Sequence, residues 1–518
     1  MSRSVERHWE RGRGYLQQRQ LAAAWAQLES LRALAPQDVR TRLLSAHVAW
    51  HEDHIRDAAA RALDAADSAS EDADLLCEVV DTLLQVGETA AAHRLLDHPA
   101  WQLASSTEAL LRYANYRQDF GEQVQALAVL DRLSPKQDAS GPFHFYRGQQ
   151  LAFLGRSEEA EAEYETCLAL APDYGRAAYR MVRLRQQTPA NHCLEVVEAG
   201  LRQSRLDARA HAAFGFARYH VLEDLGRHEE AWDALSHANL GMYPLSWRDA
   251  AQQQLMVQRL ADWFATHPIA KRTHTFDGPC PIFIIGMPRS GTTLLQHMLS
   301  NHSQVTAGGE LVDFGQQLLR VADTRSIAGD VFLSRLSALD LADVGRRYLA
   351  QTAWRACGNA YFVDKQPANW MVAGLIHAAL PQAKILHLVR EPMDVCFSNF
   401  RVMFGDANNW SYDFATLAEH YNGYRRMLRY WHAMLPGAIL DVPYADLVRA
   451  PGTTLRRVFS FCELEWQDGC EDVTRNTASV SSLSSAQVRE PVHTRGLEVW
   501  QPYAAQLEPL QRALRMPG

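Results

Sequence analysis

The sequence predicts two parts of different architecture: an all-α array of helical repeats, followed by an α/β region with a mainly parallel sheet. Residues 1 to about 240 carry apolar residues at helical spacing, with short Gly or Pro breaks and few β-branched runs. Beyond residue 279, short apolar runs typical of strands alternate with helical stretches. A chain of 518 residues also exceeds what one hydrophobic core usually organises, so more than one domain is expected.

The helical half repeats with a period in the thirties, which indicates stacked helix pairs. In the clearest unit Gly148 and Gly155 lie seven residues apart, Ala160 follows five later, Tyr164 four later and Pro172 eight later. Small residues let paired helices approach closely, Tyr164 fills the gap between them, and Pro172 ends the second helix. This unit resembles the tetratricopeptide repeat.

Weaker copies of the unit contain Gly12, Gly87 and Gly226. Together the copies predict a right-handed array whose concave face is suited to hold a peptide, to dock on the rest of the chain or to meet a second subunit. A generic helical bundle is the alternative. We place the repeats in residues 1–240, a helical linker in 241–278 and the α/β domain in 279–518.

Composition excludes several classes of protein. The net charge of −8 and the pI near 6.2 argue against a nucleic-acid binder with a broad basic surface. The eight cysteines are scattered, without a CxxC pair or zinc-site spacing, so reduced thiols and no metal are expected. The N-terminus lacks the apolar core of a signal peptide, and no stretch approaches the roughly 20 apolar residues that span a bilayer. We therefore expect a cytoplasmic protein.

An anion-binding loop, GMPRSGTT, follows the strand-like run PIFII. Its glycines, Gly286 and Gly291, lie five apart and let backbone N–H groups surround an anion, while the following helix adds the positive end of its dipole. A nucleotide triphosphatase loop would carry Lys after the second glycine, where this sequence has Thr292. Hydrolysis of ATP or GTP is therefore the weaker interpretation, and a donor handled without Mg²⁺ fits better.

Two segments resemble motifs of the sulfotransferase superfamily. PIFIIGMPRSGTTLLQHMLSNHSQV is similar to its 5′-phosphosulfate loop, and KILHLVREPMDVCFSNF is similar to its 3′-phosphate motif. The spacing is most similar to the tyrosylprotein sulfotransferases and to bacterial proteins that join tetratricopeptide repeats to such a domain. The resemblance implies a P-loop-like domain, the sulfuryl donor 3′-phosphoadenosine-5′-phosphosulfate (PAPS), its product 3′,5′-adenosine bisphosphate (PAP), and no metal.

The resemblance also assigns donor-binding residues. The loop residues that match the family's 5′-phosphosulfate binders are Arg289, Ser290, Gly291, Thr292 and Thr293. Arg390 and Ser398 match the residues that grip the 3′-phosphate, and Arg401 lies one helical turn beyond Ser398. Tyr444, in LDVPYADLV, matches an adenosine-nucleotide contact.

Catalytic residues follow from the same resemblance. Glu310, in TAGGELVDF, stands 21 residues after Arg289 and matches the catalytic glutamate of the tyrosylprotein sulfotransferases; His302 is its nearby competitor. Lys365, in FVDKQPAN, matches the lysine that steadies charge on the bridging oxygen, with a salt bridge to Asp364 as the structural alternative. The segment SSLSSAQVREPV resembles one that closes over the nucleotide and the transferred group; its candidates are Ser484, Ser485, Gln487 and Arg489.

The sequence thus predicts an O-sulfotransferase in which Glu310 is the base, while Arg289, Lys365 and a C-terminal serine such as Ser485 stabilise the transferring group. A peptide or protein tyrosine is the leading acceptor. Carbohydrate and small-molecule hydroxyls stay open, because residues 311–313 read Leu-Val-Asp where the family places peptide-binding arginines. A nucleotide-dependent kinase and a non-catalytic scaffold are the remaining alternatives. The repeats are expected to bind a protein partner or to mediate a homodimer.

Overall fold

The computed structural model describes residues 3–68, 71–133, 140–269, 275–405, 407–476 and 490–515. Its N-terminal half is all-helical, as predicted. The helices of this half are α1 (Arg3–Gln17), α2 (Leu21–Leu34), α3 (Val39–His51), α4 (Ile55–Ala66), α5 (Ala73–Gln85), α6 (Thr89–Leu95), α7 (Ala100–Leu103), α8 (Thr107–Asp119), α9 (Gln123–Leu130), α10 (Gly141–Phe153), α11 (Ser157–Leu170), α12 (Gly175–Met181), α13 (Leu194–Leu201), α14 (Ala208–Asp224) and α15 (His228–Thr266).

Local sequence signals explain where many of these helices begin. The side chains of Asp38, Asp72, Ser106, Ser140 and Asp207 each accept a hydrogen bond from a backbone N–H in the first turn of the following helix. Such N-caps satisfy donors that the helix itself leaves unpaired, and each contributes about 1 kcal/mol. The helical pattern is therefore divided into short elements at positions the sequence marks.

Close packing of α10 on α11 follows the prediction from the clearest repeat unit. A Cβ atom at Gly148 would lie 2.9 Å from the ring of Tyr164, which is fully buried. Since no larger side chain fits there without displacing the ring, Gly148 and Tyr164 together set the approach of the two helices. Helix α11 ends at Leu170, just before Pro172.

Helix α15 is a continuous element of 39 residues with Pro244 inside it. The predicted boundary between repeats and linker, at residues 240 and 241, lies within this helix. The α/β part begins after it, at β1. The three domain limits stay predictions.

The C-terminal half is built on a five-stranded parallel sheet of order β2-β3-β1-β4-β5. The strands are β1 (Cys280–Gly286), β2 (Val305–Gly309), β3 (Tyr361–Asp364), β4 (Lys384–Val389) and β5 (Ile439–Pro443). The helices are α16 (Thr292–Leu299), α17 (Asp313–Ala322), α18 (Asp330–Leu336), α19 (Leu341–Thr352), α20 (Ala373–Ala379), α21 (Pro392–Phe400), α22 (Phe414–Met434), α23 (Tyr444–Arg449), α24 (Pro451–Cys462) and α25 (Glu508–Arg515). The predicted fold class is confirmed.

Four strands coincide with the strand-like runs that the sequence predicts at 281–286, 361–365, 384–390 and 439–444, whereas β2 has no such run. Its residues, VTAGG, include two glycines, and only Val305 is fully buried. Glycine is unfavourable inside a strand, so a pattern of apolar residues does not reveal this edge strand. Pairing with β3 places it there, with a shift in register between Ala307 and Gly309.

The two halves pack tightly against each other. Arg320 of α17 forms an ion pair with Glu88 at 2.8 Å, and both side chains are only 10% exposed. Gln317 donates a hydrogen bond to the carbonyl of Gly87 at 2.8 Å, and His93 stacks on Trp354. One buried apolar cluster extends from the later repeat helices into the sheet and α25. The helical half therefore forms a fixed wall beside the sheet.

In the portion of the chain that the structure describes, no helix combines the length and apolar character needed to cross a bilayer.

Asp364, at the end of β3, is a fully buried carboxyl group that accepts a hydrogen bond from the Tyr348 hydroxyl at 2.9 Å. Burial raises the pKa of Asp364 from 3.8 to about 8. At a pH between these two pKa values, the carboxyl group of Asp364 is protonated in the folded chain and ionised in the unfolded chain. The contribution of Asp364 to the free energy of unfolding is therefore largest at acid pH and is lost as the pH rises toward 8.

We expect the Asp364→Asn variant to lose this component of the pH dependence. Its melting temperature, followed by circular dichroism between about pH 5 and pH 8, should fall less steeply with pH than that of the wild type. The exposed Asp64→Asn variant is the control and should keep the wild-type slope. Equal slopes for Asp364→Asn and the wild type would contradict an ionisation of Asp364 in this range.

Candidate active site

A large cavity opens where the carboxyl ends of the parallel strands face the helical half. Its volume is about 1530 Å³, against about 300–1,000 Å³ for typical ligand pockets. Residues predicted for the site line this cavity: Arg289, Gly291, Thr292, Thr293, Glu310, Arg390, Ser398, Arg401 and Tyr444. The structure thus brings residues far apart in the sequence to one place.

The anion loop joins β1 to α16, and its backbone has positive φ at three residues, Gly286, Arg289 and Gly291. Gly291 has φ of 108°, and a Cβ atom there would lie 2.5 Å from the ring of Tyr444. Arg289 has φ of 65°. The Ser290 side chain is buried, and its Oγ has no hydrogen-bond partner among the described residues. A buried hydroxyl without a partner is costly, so this loop is suited to receive a ligand oxygen.

Arg390 follows β4 and connects three parts of the site. Its guanidinium donates to the carbonyl of Arg289 at 2.6 Å and to the carbonyl of Gly496. It also lies over the ring of Tyr444, 4.7 Å from the centroid. Burial lowers the pKa of Arg390 from its ordinary value. The loop, the C-terminal segment and the Tyr444 ring are therefore held together around one buried positive charge.

Ser398 and Arg401 lie at the end of α21, beside Arg390. Ser398 is buried at 2% exposure. Burial opposes the charge on Arg401, but Tyr219 and Glu223 of α14 together raise the pKa of its guanidinium above the ordinary value. Arg401 therefore remains charged, and it is held from the helical half of the chain.

Several arginines approach one another across the cavity. Burial, followed by the charges of Arg183, Arg401 and Arg390, lowers the pKa of Arg289 to about 9. Mutual repulsion of this kind is relieved when an anion lies between the guanidinium groups. The electrostatics of the cavity thus favour a ligand that carries more than one negative charge.

Glu310 and Lys365 form a contact at the ends of β2 and β3. The Lys365 ammonium donates to Glu310 Oε1; the Lys365 side chain is 4% exposed and the Glu310 side chain 52% exposed. The alternative partner of Lys365, Asp364, is instead bonded to Tyr348. A buried ammonium thus touches a carboxylate that remains open to the cavity.

His302, the competitor of Glu310, does not face the cavity. Its Nε2 is 2.9 Å from the carbonyl oxygen of Glu465, and its Nδ1 is 3.2 Å from the backbone nitrogen of Gln304. The ring is buried against Phe459. Both nitrogens are thus engaged in holding the loop after α16, whereas Glu310 lines the cavity.

The C-terminal candidates Ser484, Ser485, Gln487 and Arg489 lie outside the described residues. Gly496, which sequence reasoning missed, accepts from Arg390 and packs on Tyr444: a Cβ atom at Gly496 would lie 2.4 Å from the Tyr444 hydroxyl. The one sequence signal for Gly496 is its position, soon after the segment SSLSSAQVREPV that is predicted to close over the nucleotide.

Residues of the helical half also line the cavity and were not predicted. Tyr179 accepts hydrogen bonds from Arg183 at 2.7 Å and from the backbone N–H of Met403 at 3.2 Å. His220 of α14 lines the same cavity. No sequence motif in these helices distinguishes a side chain that faces the cavity from one on an ordinary helix surface.

Comparisons with known proteins address the identity of the α/β part. Residues 281–468 match the model of the sulfotransferase family. An uncharacterized protein of Aquifex aeolicus (strain VF5) is 27% identical over 376 residues, which are 70% of this chain and 49% of that protein. Protein-tyrosine sulfotransferase A of Caenorhabditis elegans is 25% identical over 252 residues, covering 42% of this chain and 60% of the relative.

A solved structure, the sulfotransferase domain from the Synechococcus PCC 7002 olefin synthase, is 22% identical with a TM-score of 0.33; it covers 47% of this chain and 97% of that domain. This chain spans about half the length of the Aquifex relative. Residues 281–468 therefore form a domain of the sulfotransferase family, with homology to the protein-tyrosine sulfotransferases.

Proposed function

We propose that this protein is a PAPS-dependent O-sulfotransferase that transfers a sulfuryl group to a hydroxyl. The observation that carries this proposal is the meeting of the family's loop, Arg390 with Ser398, and Glu310 in one cavity. A nucleotide-dependent kinase is disfavoured because Thr292 occupies the position of the phosphate-binding lysine.

The donor is proposed to lie across the loop and α21. Backbone N–H groups of the loop and the start of α16, with the hydroxyl of Ser290, would bind the 5′-phosphosulfate. Arg390 and Ser398 would bind the 3′-phosphate, because a guanidinium and a hydroxyl together supply several donors to one dianion. Tyr444, held by Gly291 and Arg390, would contact the nucleoside.

Transfer requires a proton acceptor and stabilisation of charge on the departing oxygen. Glu310 takes the proton of the acceptor hydroxyl while the oxygen of that hydroxyl forms a bond to the sulfur of the donor. The bond between sulfur and the bridging oxygen breaks, and PAP leaves with that electron pair. Lys365, which already touches Glu310, and Arg289 stabilise the charge that develops on the bridging and sulfuryl oxygens.

For the acceptor we propose a tyrosine of a peptide or protein, in line with the name of the Caenorhabditis elegans relative. The segment after Glu310 does not offer the expected arginines: Leu311 is buried, Val312 is 57% exposed and Asp313 is buried. A carbohydrate or small-molecule hydroxyl is the competing acceptor. The cytoplasmic location, the tetratricopeptide class of the repeats and their protein partner stay predictions.

Donor binding is tested by thermal shift with PAP. A ligand that binds only the folded state at 100 times its Kd adds about 2.7 kcal/mol to the free energy of unfolding. We expect PAP to raise the Tm of the wild type and to raise that of Arg390→Ala far less. The exposed Arg512→Ala variant should respond as the wild type does. A response to ATP with Mg²⁺ but not to PAP would contradict the proposal and favour a kinase.

Base catalysis is tested by Glu310→Gln, which keeps the shape and removes the negative charge. With an accepted hydroxyl substrate and PAPS, kcat should fall by about 10²- to 10⁴-fold, the usual contribution of a general base. The Kd for PAP should stay within about twofold of the wild type, since Glu310 is proposed to act on the acceptor. Glu158→Gln, on the surface of α11, is the matched control. A variant with wild-type kcat would exclude Glu310 as the base.

A further inference from the structure

Two histidines and an aspartate meet on the sheet outside the cavity. His387 in β4 and Asp441 in β5 are direct neighbours in the register of the two strands, and His432 lies in the last turn of α22. The described residues that line the cavity of the proposed donor site include none of the three. The proposed transfer reaction therefore leaves these residues, here called the His–Asp cluster, without a role.

The cluster brings three potential metal-ligand atoms close together. His387 Nδ1 is 2.7 Å from Asp441 Oδ1, and His432 Nε2 is 3.0 Å from the same oxygen. The two ring nitrogens and the carboxylate oxygen all lie within 4.8 Å of one another. Around a tetrahedral Zn²⁺ with bonds of about 2.0–2.1 Å, neighbouring ligand atoms are about 3.3 Å apart. Small rotations of these side chains would therefore give the spacing of a metal site.

Tyr424 holds the ring of His387 from the side opposite the cluster. The Nε2 atom of His387 contacts the hydroxyl of Tyr424, which is itself buried on α22. A histidine that binds a metal usually engages its second ring nitrogen with a fixed partner, which sets the tautomer and the orientation of the ring. When Nε2–H donates to the Tyr424 oxygen, Nδ1 keeps its lone pair for a metal ion. Tyr424 is thus placed as a positioning residue for such a site.

The cluster is buried on one side and open to solvent on the other. The side chain of His387 is 7% exposed, whereas those of His432 and Asp441 are 36% and 49% exposed. The open side offers a path of entry for a cation and space for a water molecule as its fourth ligand. Arg457 of α24 is a neighbouring positive charge, but its guanidinium is exposed and donates to the backbone carbonyl of Asp441, at 2.8 Å, and not to the carboxylate. Solvent and salt screen the repulsion between such an exposed group and a cation.

The same contacts also describe a hydrogen-bonded triad, in which both imidazole rings donate a proton to Asp441 Oδ1. A metal ion would replace these two protons and take the lone pairs of His387 Nδ1 and His432 Nε2 instead. The two states differ in what they require of Asp441, because a metal ion needs its negative charge, whereas a hydrogen-bonded triad needs only an acceptor oxygen. This difference allows an experiment to separate them.

We propose that His387, His432 and Asp441 bind one divalent transition-metal ion, with Zn²⁺ as the best match. Two imidazoles, one carboxylate and a water molecule are a ligand set that Zn²⁺ accepts, whereas Mg²⁺ and Ca²⁺ prefer oxygen ligands alone. The spacing of cysteines, from which the sequence predicts no metal, does not bear on this site, because its ligands come from three elements distant along the chain.

The ion would join β4, β5 and α22 and so have a structural role. Arg390 lies three residues after His387, and Tyr444 lies three residues after Asp441. The guanidinium of Arg390 lies over the Tyr444 ring at the ends of these two strands. A metal ion would therefore brace the strands that carry this pair, at a distance from the cavity itself. The metal site does not depend on the proposed function.

The site is tested by titrating ZnCl₂ into the full chain, freed of metal with a chelator, by isothermal titration calorimetry. We expect one Zn²⁺ per chain in the wild type, and affinity at least about tenfold weaker in His432→Gln and in Asp441→Asn. The asparagine keeps an acceptor oxygen and removes the charge, so it preserves a hydrogen-bonded triad and weakens a metal site. His237→Gln, on the exposed face of α15, and Cys357→Ser, at an exposed thiol, are the controls and should bind Zn²⁺ as the wild type does.

Two further measurements use the same variants. Zn²⁺ should raise the Tm of the wild type above its value in chelator, and should raise that of the two ligand variants far less. Co²⁺ bound in place of Zn²⁺ should give visible absorption bands in the wild type that both ligand variants lose. Far-UV circular dichroism shows whether each variant is folded, and if one is not, the other decides.

A wild type that binds no Zn²⁺, or ligand variants that bind it with wild-type affinity, would overturn the site and leave the cluster as a hydrogen-bonded triad. A Tm that rises with MgCl₂ and not with ZnCl₂ would contradict the assignment to a transition metal. Loss of binding in Cys357→Ser would assign the ion to a thiol and also overturn the proposal. PAP and an acceptor take no part in these measurements, so a failure of the metal site is distinct from a failure of the proposed function.

Discussion

The parallel arrangement of the sheet is the constraint on which the site depends. Because all five strands run the same way, the residues that follow them emerge at one edge. The anion loop follows β1, Glu310 follows β2, Lys365 follows β3, Arg390 follows β4 and Tyr444 follows β5. No long loop is needed to bring these residues to the cavity. The site is therefore a direct product of strand direction and order.

The helical half closes the other side of that edge. The buried pair of Arg320 with Glu88 and the continuous apolar cluster fix it against the sheet. The turn after α12 consequently supplies Arg183, and α14 supplies His220 and the groups that hold Arg401. Charged groups from both the helical half and the α/β part therefore determine the electrostatic character of the cavity.

The sequence predicted much of this arrangement, because strand, loop and helix patterns are local. Four strands and the anion loop follow from apolar runs and glycine spacing. The matched residues Arg289, Glu310, Arg390, Ser398 and Tyr444 line one cavity. Strand β2 was missed since glycines hide its pairing. Tyr179 and His220 were missed because their position in the cavity wall depends on how the helical half packs on the sheet. The contact of Lys365 with Glu310 could not be predicted either, since it joins the ends of two strands 55 residues apart.

The continuity of α15 has a consequence for how such chains can be rearranged. One helix of 39 residues belongs to the last repeat pair at its start and packs on α22 of the α/β part near its end. A cut within it would expose apolar surface on both fragments. The repeats and the α/β part are thus unsuited to exchange as independent modules. The wall of the cavity therefore changes by substitution of single side chains, in a chain that keeps both parts together.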